Sequence, residues 1–139
     1  SMTFVMHDHN TVNYNEDFIF INIECNQHLQ RDLQKLAEIS KHEWASLLKE
    51  LISSTIHDRK TRQKQGETSF PDEYIKVFEF RLDELLAQGT REYEADHSRY
   101  YGDDERRLLN RLKKYRYNYF MWVRDFRLPT TNNLSERSL

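Results

Sequence analysis

The chain has 139 residues, enough for one compact core, and 37% of them are hydrophobic while 32% are charged. With only three glycines and two prolines, the composition excludes a glycine-loop or all-β enzyme and favours long, solvated helices. The formal net charge of −2 excludes a basic excess over the whole chain, so any contact with nucleic acid must be local.

Cysteine usage and hydropathy indicate the compartment. The single cysteine, Cys25, has no partner for an internal disulfide. No apolar run is long enough for a signal peptide or a membrane span. The sequence therefore predicts an intracellular, cytoplasmic protein with no membrane partner.

Residues 3–25 alternate short apolar runs with polar loops. The runs at 4–6 and 18–23 are rich in aromatic and β-branched side chains, which predicts two short strands, the second largely buried. The rest of the chain has helical spacing, beginning with Leu29, Leu33 and Leu36.

A pair of helices is predicted between residues 40 and 89, as a hairpin or as a long fraying arm. Ser40 and Glu43 have the spacing of a capping box and predict a helix start. The inward residues of that helix are predicted to be Trp44, Leu47, Leu48, Leu51, Ile52 and Ile56. A turn at 66–71 follows, and Pro71 predicts the start of a second helix. Gly89 is its predicted stop, and the polar stretch 90–102 is either a continuation of that helix or a connector. The predicted inward residues of the second helix are Tyr74, Phe78, Leu82, Leu85 and Leu86.

A last long helix is predicted over 103–126. Asp103 or Asp104 is its predicted cap, and Pro129 ends it. Its predicted inward residues are Leu108, Leu109, Leu112, Tyr115, Tyr119, Trp122 and Phe126. The aromatic residues at this spacing favour core packing over base stacking.

Four segments combine residue types in a fixed order. Val5-Met6-His7-Asp8-His9 is a short apolar strand ending in His-Asp, and residues 128–139 read LPTTNNLSERSL, an ordered string that chance rarely supplies. Residues 25–33 (CNQHLQRDL) and 108–115 (LLNRLKKY) lie between them. Together these segments resemble DDE-type transposases of the insertion-sequence 66 family, and the resemblance covers nearly all of the chain.

The resemblance implies an RNase H-like fold interrupted by a helical insertion. Asp8 and Glu136 map to the second and third catalytic carboxylates, which bind Mg²⁺ or Mn²⁺ for DNA strand cleavage and transfer by a two-metal mechanism. Residues 1–27 would then be partial RNase H-like strands, 28–127 the helical insertion and return helix, and 128–139 the segment with the third carboxylate. The first acidic residue belongs on an earlier strand, and nothing before Asp8 supplies it. The isolated chain is therefore expected to be inactive and to hold no metal tightly.

Supporting roles fall near the two carboxylates. Cys25 and His28 have zinc-like C-x-x-H spacing, but no second ligand pair follows at a suitable distance, which argues against a zinc site. The resemblance implies instead that they are supporting polar groups. Asn132 and Asn133 either cap the helix of Glu136 or bind a DNA phosphate. Arg137 either meets a phosphate or is solvated.

Two basic stretches are candidates for contact with the DNA backbone. The first contains Arg59, Lys60, Arg62 and Lys64. The second contains Arg106, Arg107, Arg111, Lys113, Lys114 and Arg116, interleaved with Tyr115 and Tyr117. The alternative for both is a solvated helix face.

The partners implied by the resemblance are transposon ends and target DNA, with a homo-oligomer as a further option. A bacterial cytoplasmic protein, associated with the nucleoid when bound to DNA, follows from it. The rival function is a non-catalytic helical DNA-binding or oligomerisation module, such as a domesticated transposase remnant.

Overall fold

The computed structural model describes residues 28–97 and 100–130, and every regular element in those ranges is a helix. A mainly α chain is thus confirmed, while the strands predicted within 3–25 lie outside the described residues. Helix α1 covers 28–40. The others are α2 (Glu43–Lys64), α3 (Asp72–Ala95), α4 (Gly102–Lys114), α5 (Arg116–Tyr119) and α6 (Met121–Arg124).

Helices α2 and α3 form the predicted hairpin. The chain reverses at Gly66, whose φ of 87° lies in the left-handed region that glycine adopts without strain. The Glu67 amide donates to the Arg62 carbonyl at 2.9 Å and the two side chains form an ion pair, also at 2.9 Å. Asp72 and Glu73 occupy the first turn of α3, as predicted, and Pro71 lies one residue before it.

The junction of α1 and α2 differs from the predicted capping box. Ser40 is the last residue of α1, and its hydroxyl donates to the Leu36 carbonyl at 2.8 Å and accepts the His42 amide at 3.0 Å. Lys41 has a positive φ of 65°, and His42 is the N-cap without a side-chain cap bond. The predicted cap is wrong because the Ser40 hydroxyl serves the end of the preceding helix.

Gly89 does not end a helix: α3 continues to Ala95, so the alternative of a continued helix is confirmed over the first part of 90–102. A Cβ atom at Gly89 would lie 2.7 Å from Trp44 Cδ2 and 2.8 Å from Leu109 Cδ2. The glycine thus lets the backbone of α3 approach α2 and α4 closely. The predicted stop is wrong because the requirement for glycine comes from packing rather than from helix termination.

The continuous helix predicted over 103–126 is also wrong. Gly102 begins α4, Asp103 and Asp104 lie in its first turn rather than at the cap, and breaks follow at Tyr115 and Phe120. Four of the five residues in 119–123 are buried, which is more than one face of an unbroken helix presents. The breaks therefore turn extra apolar side chains towards the core.

The core is a single cluster to which α1, the hairpin and the 102–128 segment all contribute. Trp44 and Trp122 are 0% exposed at its centre. The predicted inward residues are confirmed as buried or packed against the cluster, including the three leucines of α1. Leu47, Ile56, Tyr74 and Tyr115 are the half-buried members.

Candidate nucleic-acid interface

The second basic stretch lies on the outer side of α4 and α5. Leu108, Leu109 and Leu112 recur at helical spacing and bury one side of α4, which leaves its cations on the other. All five cations of α4 are exposed: Arg106, Arg107, Arg111, Lys113 and Lys114. Arg116 of α5 is half-buried. The structure thus brings the six predicted residues onto neighbouring turns.

Two of these cations pair within α4 itself. Arg106 Nη2 lies 3.2 Å from Asp103 Oδ1, and Arg107 Nη1 lies 3.6 Å from Asp104 Oδ1. The members of both pairs are largely exposed, and pairs of this kind stabilise a protein by about 0.2–1 kcal/mol. Exchange of the carboxylate for another anion therefore costs little.

Three other cations connect α4 and α5 to neighbouring helices. Arg111 donates to Asp32 of α1 at 2.9 Å, and Lys113 donates to the Thr90 hydroxyl of α3 at 2.7 Å. Arg116 pairs with Asp83 of α3. Their partners are 23 to 79 residues away in sequence, so no local pattern identifies them.

Among the described residues Lys114 makes no such connection, and its Nζ lies 5.3 Å from the centre of the neighbouring Tyr115 ring. Tyr117 is 62% exposed among these cations. The face therefore combines cations held by weak surface pairs with one aromatic ring open to solvent. It can exchange carboxylate partners for phosphate and offers one stacking surface.

Arg59 does not belong to a surface. Its side chain is buried, and its guanidinium donates to the Trp122 carbonyl at 2.8 Å, the Phe126 carbonyl at 2.9 Å and the Leu128 carbonyl. Arg59 is therefore a structural group that ties the segment after α5 to α2. Its candidacy for DNA contact is wrong, because a buried guanidinium is not available to phosphate.

The rest of the first basic stretch is divided. Arg62 is half-buried, with its guanidinium carbon 5.6 Å from the ring centres of both Phe70 and Tyr74. Lys60 and Lys64 remain exposed. Of the first basic stretch, only these two lysines are exposed for contact with the DNA backbone.

A buried polar network that the sequence did not predict lies where α2, α3 and α4 meet. Glu105 is 0% exposed, and its Oε2 lies 2.7 Å from His42 Nδ1 and accepts the Trp44 indole N–H at 2.8 Å. Its other oxygen, Oε1, has no hydrogen-bond partner among the described residues. On the opposite side of the ring, His42 Nε2 lies 3.2 Å from Asp96 Oδ2, which also accepts from the Tyr101 hydroxyl at 2.9 Å.

The geometry favours a doubly protonated His42. Both ring nitrogens face a carboxylate oxygen, and a neutral imidazole has only one N–H to donate. Burial lowers the pKa of His42, but hydrogen bonds to Glu105 and Asp96 and attraction to Glu105 and Glu92 outweigh it, so the pKa is raised. The Tyr101 and His42 hydrogen bonds lower the pKa of Asp96.

This network makes stability depend on pH in a defined direction. Because the folded pKa of His42 exceeds its ordinary value of 6.5, the added stability is complete below pH 6.5 and is lost as pH rises through the folded pKa. Chemical denaturation from pH 6 to about 9 should thus show a falling free energy of unfolding, which His42→Gln should flatten. The exposed His57 provides the control, and His57→Gln should keep the wild-type profile. A profile that His42→Gln leaves unchanged would contradict the charged network.

The other predicted site residues divide by position. His28 is exposed at the first described residue of α1. Asp8, Cys25, Asn132, Asn133, Glu136 and Arg137 lie outside the described residues. Within 28–97 and 100–130, no three His, Cys, Asp or Glu side chains are grouped so that they could hold a metal ion. Among the same residues, no helix has the length and apolar character needed to cross a bilayer.

Comparison with known protein families shows to which family the chain belongs. The family model described as Transposase IS66 family matches residues 4–139. The chain belongs to this transposase family. No curated protein and no solved structure gives a significant match. Membership of the IS66 family confirms the resemblance seen in the sequence and implies a role in transposition, which involves DNA. The match includes Asp8, Glu136 and every cation of the α4–α5 face.

Proposed function

We propose that this IS66-family chain is part of a DDE-type transposase that cleaves and transfers DNA strands with Mg²⁺, using Asp8 and Glu136 as metal-binding carboxylates. The observation that carries the proposal is the family match over 4–139, which includes both residues in order. Its test is strand cleavage by the full-length transposase after replacement of Glu136 with Gln.

The donor set fits the proposed metal. Asp8 and Glu136 offer carboxylate oxygens, the hard ligands that Mg²⁺ and Mn²⁺ accept in proteins. A bound pair of such ions stabilises the attacking and leaving oxygens of a phosphoryl transfer. The resemblance implies a further acidic residue on an earlier strand, so this chain would contribute two of three carboxylates.

The helical part would contact the DNA backbone through α4 and α5. A duplex presents a dense row of phosphates, and each cation that neutralises one releases condensed counterions. The pairs of Arg106 and Arg107 with neighbouring aspartates are exposed and therefore weak, which lets phosphate displace them. The same aspartates remain close by and repel DNA, so binding should be weak. Because the contacts are to phosphates, binding should also be independent of sequence.

A double substitution tests this contact without disturbing the fold. Arg107→Gln with Lys114→Gln removes two charges that do not connect α4 to another helix. We expect duplex affinity to fall at least about tenfold in low salt, and the slope of log affinity against log salt to decrease by up to about 2. Fluorescence anisotropy across about 50 to 200 mM salt measures both quantities.

The matched control is Arg81→Gln with Arg91→Gln, which removes two exposed cations of α3 instead. The control should keep the affinity and the salt slope. If both double variants lost the same affinity for duplex DNA, the loss would come from the change in net charge, which would contradict a specific DNA-binding face on α4.

A further inference from the structure

The outer face of α3 exposes large apolar side chains. Phe78 and Leu82 point into the core, whereas Val77 is 58% exposed and Phe80 is 61% exposed on the opposite side. Helical geometry places these two residues on adjacent turns of one surface. This apolar pair has no cover in the described part of the chain.

A positively charged and a negatively charged residue lie on either side of Phe80 along α3. Lys76 lies four residues before it and Glu84 four residues after it, so the three side chains form one row along the helix. Across 28–97 and 100–130, neither Lys76 nor Glu84 makes an ion pair, and both are exposed. Their neighbours Glu79 and Asp83, by contrast, are engaged by Arg124 and Arg116.

We propose that the outer face of α3 is a docking surface for a second copy of the chain, paired antiparallel with Phe80 on the two-fold axis. In such a pair, positions that sum to 160 face each other, so Lys76 meets Glu84 of the second copy and Glu84 meets its Lys76. The row is therefore complementary to its own reversed copy, which is the property that a two-fold interface requires.

Packing geometry agrees with this arrangement. Rows of residues four apart form the ridges that interdigitate in the commonest class of helix crossing, at about 50°. That crossing aligns the two rows and buries the two Phe80 side chains in the middle, with an ion pair at each end. Because steeply crossed helices share only a few turns, the dimer is expected to be weak and dependent on concentration.

Charge reversal tests the pairing. Sedimentation equilibrium of the chain should show a monomer–dimer equilibrium, and Lys76→Glu alone or Glu84→Lys alone should raise the dissociation constant at least about tenfold, because like charges then face each other twice. The double variant Lys76→Glu with Glu84→Lys should recover dimerisation. An equimolar mixture of the two single variants should form a heterodimer, since each supplies the charges that the other lacks.

The matched control is Glu73→Lys. It makes the same charge change as Glu84→Lys on the same helix but lies outside the few turns that the crossed helices share, so dimerisation should persist. A chain that stays monomeric at every concentration, or a dimer that all of these changes leave intact, would overturn the proposal. Circular dichroism confirms that each variant keeps its helices. The inference does not depend on the proposed nuclease chemistry.

Discussion

Replacing Glu136 with Gln in the full-length transposase is expected to abolish strand cleavage while preserving folding and binding to transposon ends. The amide keeps the size of the side chain but removes the negative charge that binds a divalent cation. Asp8→Asn should have the same effect. An end-cleavage assay beside an end-binding assay measures the two properties separately.

A carboxylate that only caps a helix behaves differently. Its replacement lowers stability by about 1 kcal/mol and leaves the chemistry intact. Glu50→Gln, at an exposed position of α2, is the control and should cleave normally. Near-normal cleavage by Glu136→Gln would contradict the catalytic assignment and would favour the non-catalytic helical module.

Replacing Arg59 with Met should lower the free energy of unfolding by about 3 kcal/mol or more. The methionine fills much of the same space, but the carbonyls of Trp122, Phe126 and Leu128 lose their common donor inside the protein. A buried carbonyl that loses a donor costs about 1–3 kcal/mol. The Phe126 carbonyl keeps Gln63 Nε2 at 3.4 Å, which offsets part of its loss. Loss of the contact between the guanidinium and the Phe126 ring, 5.2 Å away, adds to the effect.

Lys60→Met is the matched control, because Lys60 is the next residue of α2 and is exposed. Surface changes of this kind usually alter stability by less than about 0.5 kcal/mol. Urea denaturation followed by circular dichroism compares the two variants with the wild type. Similar midpoints for Arg59→Met and the wild type would show that the three carbonyls do not depend on Arg59.

Much of the helical core could be predicted because its cause is local. Leucines and aromatics at spacings of three and four must share a side of a helix, so Leu48, Phe78 and Leu112 were predicted as inward and are buried. The failures have distant causes. Gly89 was interpreted as a helix stop, although its role depends on Trp44 and Leu109, which are far away in sequence.

The candidate interface divides in the same way. The cations of α4 are predicted either to contact DNA or to form a solvated helix face, and all five are exposed, as both alternatives require. The carboxylate partners of Arg111 and Arg116 were not predicted, since only the folded arrangement brings Asp32 of α1 and Asp83 of α3 near these cations. Glu105 lies in the first turn of α4 next to two exposed aspartates, and nothing in the local sequence marks it as a buried partner of His42.

The hydrogen bonds of Arg59 also limit how far the C-terminal segment can reach. Leu128 is held to α2, and Glu136 is the eighth residue after it, so the Cα atom of Glu136 can lie no farther than about 29 Å from that anchor, even with the chain fully extended. The helical body thereby sets the radius within which the proposed metal ligand can operate. A substitution in α2 that breaks the Arg59 contacts would release Leu128 and enlarge that radius. It would then change where the Glu136 carboxylate can lie without altering that residue itself.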